Sequence, residues 1–87
     1  VAFLRRELAR RGVTTWPSAA NFVLARVGRS AELTAFLRPR GILVRDQGGH
    51  PGLAGCVRIG AGTVSQTRRF LMALDRWLDA AEGKAPR

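Results

Sequence analysis

Arg58 stands in Cys56-Val57-Arg58-Ile59-Gly60-Ala61, where every neighbour is apolar or small. Alternation along a strand sends Val57, Ile59 and Ala61 to one face and Cys56, Arg58 and Gly60 to the other. A guanidinium in such company must find a partner, because an unpaired buried charge is costly, and this run contains no acid. Arg45 poses the same question, sharing with Leu43 the face opposite Ile42 and Val44. One reading is that each arginine meets a carboxylate elsewhere in the fold or snorkels to solvent. The other is an anion site, with both arginines flanking a loop in which five of the ten residues from Asp46 to Gly55 are Gly or Pro. A planar guanidinium can hold a carboxylate or phosphate through two parallel hydrogen bonds.

Other candidates carry less. Gly60-Ala61-Gly62-Thr63 joins a strand to a helix, where free N–H groups and the helix dipole attract anions. It lacks the third glycine of a dinucleotide fingerprint and the lysine of a P-loop, which favours glycines serving a tight turn and a cap. His50 lies in Gly-Gly-His-Pro-Gly, the setting of a surface side chain, and with no second ligand type clustered beside it no metal site is expected. Cys56, the one cysteine, can form neither an internal disulfide nor a cysteine-rich zinc site, and it reads as a small core residue in a reducing compartment. Asn21 is able to bond backbone, cap a turn or touch a ligand.

These residues need elements to position them. Phe3, Leu4, Leu8 and Ala9 recur at helical spacing with arginines over the other faces, and Gly12 suits the left-handed position that ends a helix. Val13 to Trp16 predicts an edge strand stopped by Pro17-Ser18. Asn21 to Val27 has apolar residues on both faces, which predicts a central strand covered on both sides for most of its length. Ser30 is expected to cap a helix carrying Leu33, Phe36 and Leu37, which Pro39 and Gly41 terminate. Ile42 to Arg45 and Cys56 to Ala61 are the third and fourth strands. Thr63-Val64-Ser65-Gln66 matches a capping box, and Phe70, Leu71, Leu74, Trp77, Leu78 and Ala81 form the stripe of the long helix it opens. This order predicts an α+β fold, a small, largely antiparallel sheet of about four strands covered by helices.

The chain has 87 residues, enough for one domain, and 46% of them are hydrophobic, as in an ordinary globular protein. No apolar run approaches the roughly 20 residues of a membrane span, and no membrane partner is expected. A net charge of +9 brings nucleic acid or an acidic protein into consideration, with Arg68, Arg69 and Arg76 joining the arginines of the first helix. Solvated helix faces account for most of these charges, and no paired strand aromatics for base stacking are present. An independent basic α+β module binding nucleic acid or an acidic protein is the alternative function. The chain opens without Met and with an amphipathic pattern already running at Val1, so a longer polypeptide is expected.

Three segments in order carry a family resemblance. They are Ser18-Ala19-Ala20-Asn21-Phe22-Val23-Leu24, Gly41-Ile42-Leu43-Val44-Arg45-Asp46-Gln47, and the run from Gly52 to Thr63 that contains Gly55-Cys56-Val57-Arg58-Ile59-Gly60. Together with the closing helix they resemble the C-terminal small domain of the histidinol-phosphate aminotransferases, over about positions 1 to 80. Other fold-type I aminotransferases and threonine-phosphate decarboxylase share much of the pattern. Arg45-Asp46-Gln47 and the Leu53-x-Gly55-Cys56-x-Arg58 that follows favour the histidinol-phosphate branch.

The resemblance implies a pyridoxal-phosphate enzyme that transfers an amino group between histidinol phosphate and 2-oxoglutarate, through glutamate, in histidine biosynthesis. It further implies a cytoplasmic homodimer. Arg58 matches the family's substrate-carboxylate arginine and Arg45 a second arginine near the substrate anion, with Asn21 a site-supporting residue. On this reading residues 1–12 end a helix leading in from a missing large domain, residues 13–82 form the small domain and residues 83–87 are a tail. The catalytic lysine belongs to the large domain. Lys84, the one lysine, sits in a Gly-Lys-Ala-Pro context where its charge is hydrated, so the chain alone is expected to hold no catalytic residue, bind no pyridoxal phosphate and be inactive.

Overall fold

Leu4 and Leu8, one helical turn apart, give the first element a single apolar stripe, and both are buried in α1 (Ala2–Arg10). The computed structural model describes residues 2–16 and 21–82, except the side chains of Ala81 and Glu82. Gly12 adopts φ +76°, and the bonds Gly12 N–H to Ala9 O and Val13 N–H to Leu8 O close the helix as its position in the sequence predicts. The Pro17-Ser18 stop, the Ser18-Ala19-Ala20 segment, the tail and Lys84 lie outside the described residues.

A four-stranded antiparallel sheet follows the order β1-β2-β4-β3, with β1 Thr14–Trp16, β2 Phe22–Arg26, β3 Arg45–Asp46 and β4 Cys56–Gly60. Between β2 and β3 come α2 (Ser30–Leu37) and a 3₁₀ turn (Arg38–Arg40), and α3 (Val64–Glu82) closes the chain. One sheet face carries Val23, Ala25, Val57 and Ile59. These pack with Leu4 and Leu8 of α1, Leu33 and Leu37 of α2, and Phe70, Leu71, Leu74 and Trp77 of α3. The expected α+β layer of helices on a small antiparallel sheet is what forms.

Four local expectations need correction. β2 is buried on one face only: Val23 and Ala25 are inaccessible while Phe22 and Leu24 are half-buried, because all three helices lie on the same side. The third strand is not Ile42 to Arg45 but the two residues Arg45–Asp46. Gly41 ends the 3₁₀ turn with φ +74°, and the Ile42 N–H is spent on Leu37 O, so the backbone joins the ladder only three residues later. The fourth strand stops at Gly60, although the Ala61 N–H still donates to Asn21 O. Ser30 is not the N-cap. Arg29 holds that position without a side-chain cap, the Leu33 N–H reaches Arg29 O, and Ser30 lies buried inside the first turn. The capping box of α3 does form, with Gln66 N–H to Thr63 Oγ1 at 3.1 Å and Thr63 N–H to Gln66 Oε1 at 2.9 Å.

Candidate functional site

Antiparallel register decides which side chains meet. Leu24 of β2 and Arg45 of β3 are the two cross-strand partners of Arg58, and Trp16 of β1 pairs with Leu24. Trp16, Leu24, Arg58 and Arg45 therefore form one row on the face away from the helices. Arg58 is half-buried at the centre of β4, and its guanidinium carbon lies 4.9 Å from the centroid of the Phe22 ring. Arg45 is exposed at the sheet edge.

Among the described residues, neither guanidinium is paired with a carboxylate; the ion pairs involve Arg10, Arg11 and Arg29 instead. Two like charges directly opposite each other on neighbouring strands repel. Of the two partners considered for these arginines, no carboxylate meets either among the described residues, whereas Arg45 does reach solvent and the Phe22 ring gives Arg58 a cation–π contact.

A cleft of about 440 Å³ is lined by Asn21, Phe22, Leu43, Val44, Arg45, Arg58 and Gly60. It brings together Arg45, Arg58 and Asn21, the three residues that the resemblance assigns to a site. Asn21 is exposed just before β2, and its backbone carbonyl is held by the Ala61 N–H. Phe22 joins them, and its signal in the sequence is its place two residues before Leu24, on the face that also carries Arg58.

Of the remaining candidates, Gly60 lines this cleft and the others stay outside it. His50 is exposed in the loop, its N–H bonded to Gln47 O. Cys56 shares a sheet face with Arg58 but is fully buried, with only a long contact of 3.9 Å from its thiol to Ala54 O. Gly62 and Thr63 serve the turn and the cap, since the capping box occupies the Thr63 and Gln66 N–H groups. Among the described residues no group of His, Cys, Asp and Glu is arranged to hold a metal ion. No described helix is long and apolar enough to cross a membrane.

The helix arginines are partly neutralised. Arg11 makes a two-pronged bridge to Asp75 of α3 at 2.6 and 3.0 Å and also contacts Glu7. Its pKa is raised, chiefly by the Asp75 hydrogen bond, and that of Glu7 is lowered, chiefly by the Arg11 hydrogen bond.

Comparison with known proteins finds relatives over most of the chain. The chain is 43% identical over 79 residues to histidinol-phosphate aminotransferase 1 of Thiobacillus denitrificans, covering 91% of this chain. It is homologous to the histidinol-phosphate aminotransferases. The counterpart from Haloferax volcanii is 42% identical over 74 residues, or 85% of the chain. The chain spans about a fifth of the length of these relatives, 20% and 19% respectively. No family profile matches it.

Among solved structures, L-threonine-O-3-phosphate decarboxylase from Porphyromonas gingivalis matches with a TM-score of 0.76 and 32% identity, over 90% of this chain and 25% of that one. Histidinol-phosphate aminotransferase from Sinorhizobium meliloti, in complex with pyridoxal-5'-phosphate, matches with a TM-score of 0.68 and 26% identity, over 87% and 22%. The fold of this segment thus serves more than one reaction type.

Proposed function

We propose that this chain is the C-terminal, substrate-binding domain of a pyridoxal-phosphate-dependent aminotransferase acting on histidinol phosphate and 2-oxoglutarate. The supporting observation is the pair of facing arginines, Arg45 and Arg58, without a carboxylate between them and lining one cleft with Asn21. Glutamate presents two carboxylates, whereas histidinol phosphate presents a phosphate and no carboxylate. One site must therefore take differently shaped anions in turn. Two guanidinium forks suit either, because each can accept a carboxylate or a phosphate edge through parallel hydrogen bonds. Phe22 keeps the Arg58 head aimed from below, and Asn21 adds an amide at the rim.

Pyridoxal phosphate, which the relatives imply, is not fitted by the described residues. They contain no lysine, so they offer no primary amine for its attachment. Their contribution is to bind and orient the substrate's anionic group.

The test is transamination of histidinol phosphate with 2-oxoglutarate by the complete protein that contains this segment. Activity that falls by at least about tenfold in kcat/KM in Arg45→Ala and in Arg58→Ala supports the reading. Full activity with both arginines replaced would remove it. The rival, a basic module for nucleic acid or an acidic protein, requires a complex that survives 0.2 M salt, since binding by bare charge weakens steeply with ionic strength.

A further inference from the structure

Asp46 follows Arg45 in β3, so the two side chains leave the sheet on opposite faces. Asp46 is paired with Val57, whose side chain lies in the core beneath the helices. Its carboxylate therefore turns away from the cleft and toward α2. There Oδ1 accepts the Gly48 N–H at 2.8 Å, and the hydroxyl of Ser30, buried in the first turn of α2, hydrogen-bonds the same carboxylate. These two contacts, Ser30 first and Gly48 second, hold the Asp46 carboxyl below the usual carboxylate range.

Gly48 completes the arrangement by having no side chain. A Cβ at that position would fall 2.8 Å from Ser30 Oγ, closer than such atoms approach, and 3.0 Å from Asp46 Oδ1, a tight contact. Just beyond the strand, the Gln47 N–H donates to Cys56 O at 2.9 Å and carries the ladder one bond further.

A strand of two residues at a sheet edge has little hold on its own register, and a one-residue slip would turn Arg45 to the other face. The repulsion between Arg45 and Arg58 works toward that slip. The restraint comes from the helix side of the sheet. We propose that Ser30, Asp46 and Gly48 form a clamp that positions Arg45 opposite Arg58, which makes Asp46 a positioning residue for anion binding. The proposal rests on the reading of Arg45 as a substrate-anion ligand.

The experiment compares Asp46→Ala, Asp46→Asn and Ser30→Ala in the complete protein, measuring kcat, KM for histidinol phosphate and hydrogen exchange at the Gln47 amide. Asp46→Ala is expected to raise KM about three- to tenfold with kcat nearly unchanged, and to speed exchange at Gln47. Asp46→Asn keeps the Oδ1 acceptor and should restore most of both; Ser30→Ala should fall between them. Should Asp46→Ala fail to fold, Ser30→Ala carries the same comparison. Equal effects of Asn and Ala would overturn the clamp in favour of a charge effect, and unchanged exchange at Gln47 would overturn it outright. Arg45→Ala tests the underlying reading separately: an unaltered KM there removes the arginine's role, while the exchange data still report on the clamp.

Discussion

Replacing Arg58 by lysine keeps the positive charge and removes the fork. In the folded chain the guanidinium rests 4.9 Å from the Phe22 ring centroid, faces Arg45 and has no carboxylate partner among the described residues. A cation–π contact of this kind contributes about 0.5–2 kcal/mol, and lysine keeps part of it. The like-charge repulsion, about 0.2–1 kcal/mol, persists in the variant or eases as the longer, more flexible stem turns aside. The net stability change is then below about 1 kcal/mol. Anion binding suffers more. Loss of one of two charge-assisted hydrogen bonds costs about 1.5–3 kcal/mol, or roughly ten- to 150-fold in kcat/KM. Unfolding and steady-state kinetics of the complete protein, measured on one preparation, separate the two effects. A fall in stability of more than about 2 kcal/mol with kcat/KM unaltered would show that Arg58 is structural and refute the reasoning.

Three further outcomes are expected. Thr63→Ala removes the hydroxyl that accepts the Gln66 N–H and should lower stability by about 1 kcal/mol, readable by urea unfolding; a change within error would mean that the cap contributes nothing. Arg45→Thr relieves the repulsion with Arg58 and should raise stability by about 0.2–1 kcal/mol at low salt, a gain that shrinks as added salt screens the pair, while anion binding weakens. The Asp46 carboxyl has a depressed folded-state pKa, so its stabilising contribution is complete above the ordinary value near about pH 4 and is lost as pH falls through the depressed value. An acid titration of unfolding should therefore show a shallower loss in Asp46→Asn than in the parent, and identical slopes would contradict this.

Local chemistry was legible in the sequence wherever one segment contains its own answer. The stripe of α3 from Phe70 to Trp77, the Thr63–Gln66 capping box and Gly12 at the end of α1 each depend on residues within a turn or two of one another. Periodicity and cap chemistry suffice there, because the hydrogen-bond partner is always a near neighbour in the chain. The oddity of Arg58 and Arg45 was legible for the same reason: a charge in an apolar alternating run stands out without any knowledge of the fold.

What surrounds those arginines was decided by pairing across distance. Ile42 to Val44 alternate as a strand would, and Ile42 and Val44 do pack on the core, yet a strand exists only where a neighbouring backbone takes up its hydrogen bonds. The Ile42 N–H went to the preceding turn, which periodicity cannot report. The bare face of β2 follows from all three helices choosing one side, a packing outcome that its sequence, apolar on both faces, does not contain. Above all, the meeting of Arg45 with Arg58, and of Asp46 with Ser30 behind it, depends on a register between segments far apart in the chain. The residue types were legible beforehand; their juxtaposition was not, because a shift of one residue would exchange every face while leaving the sequence unchanged.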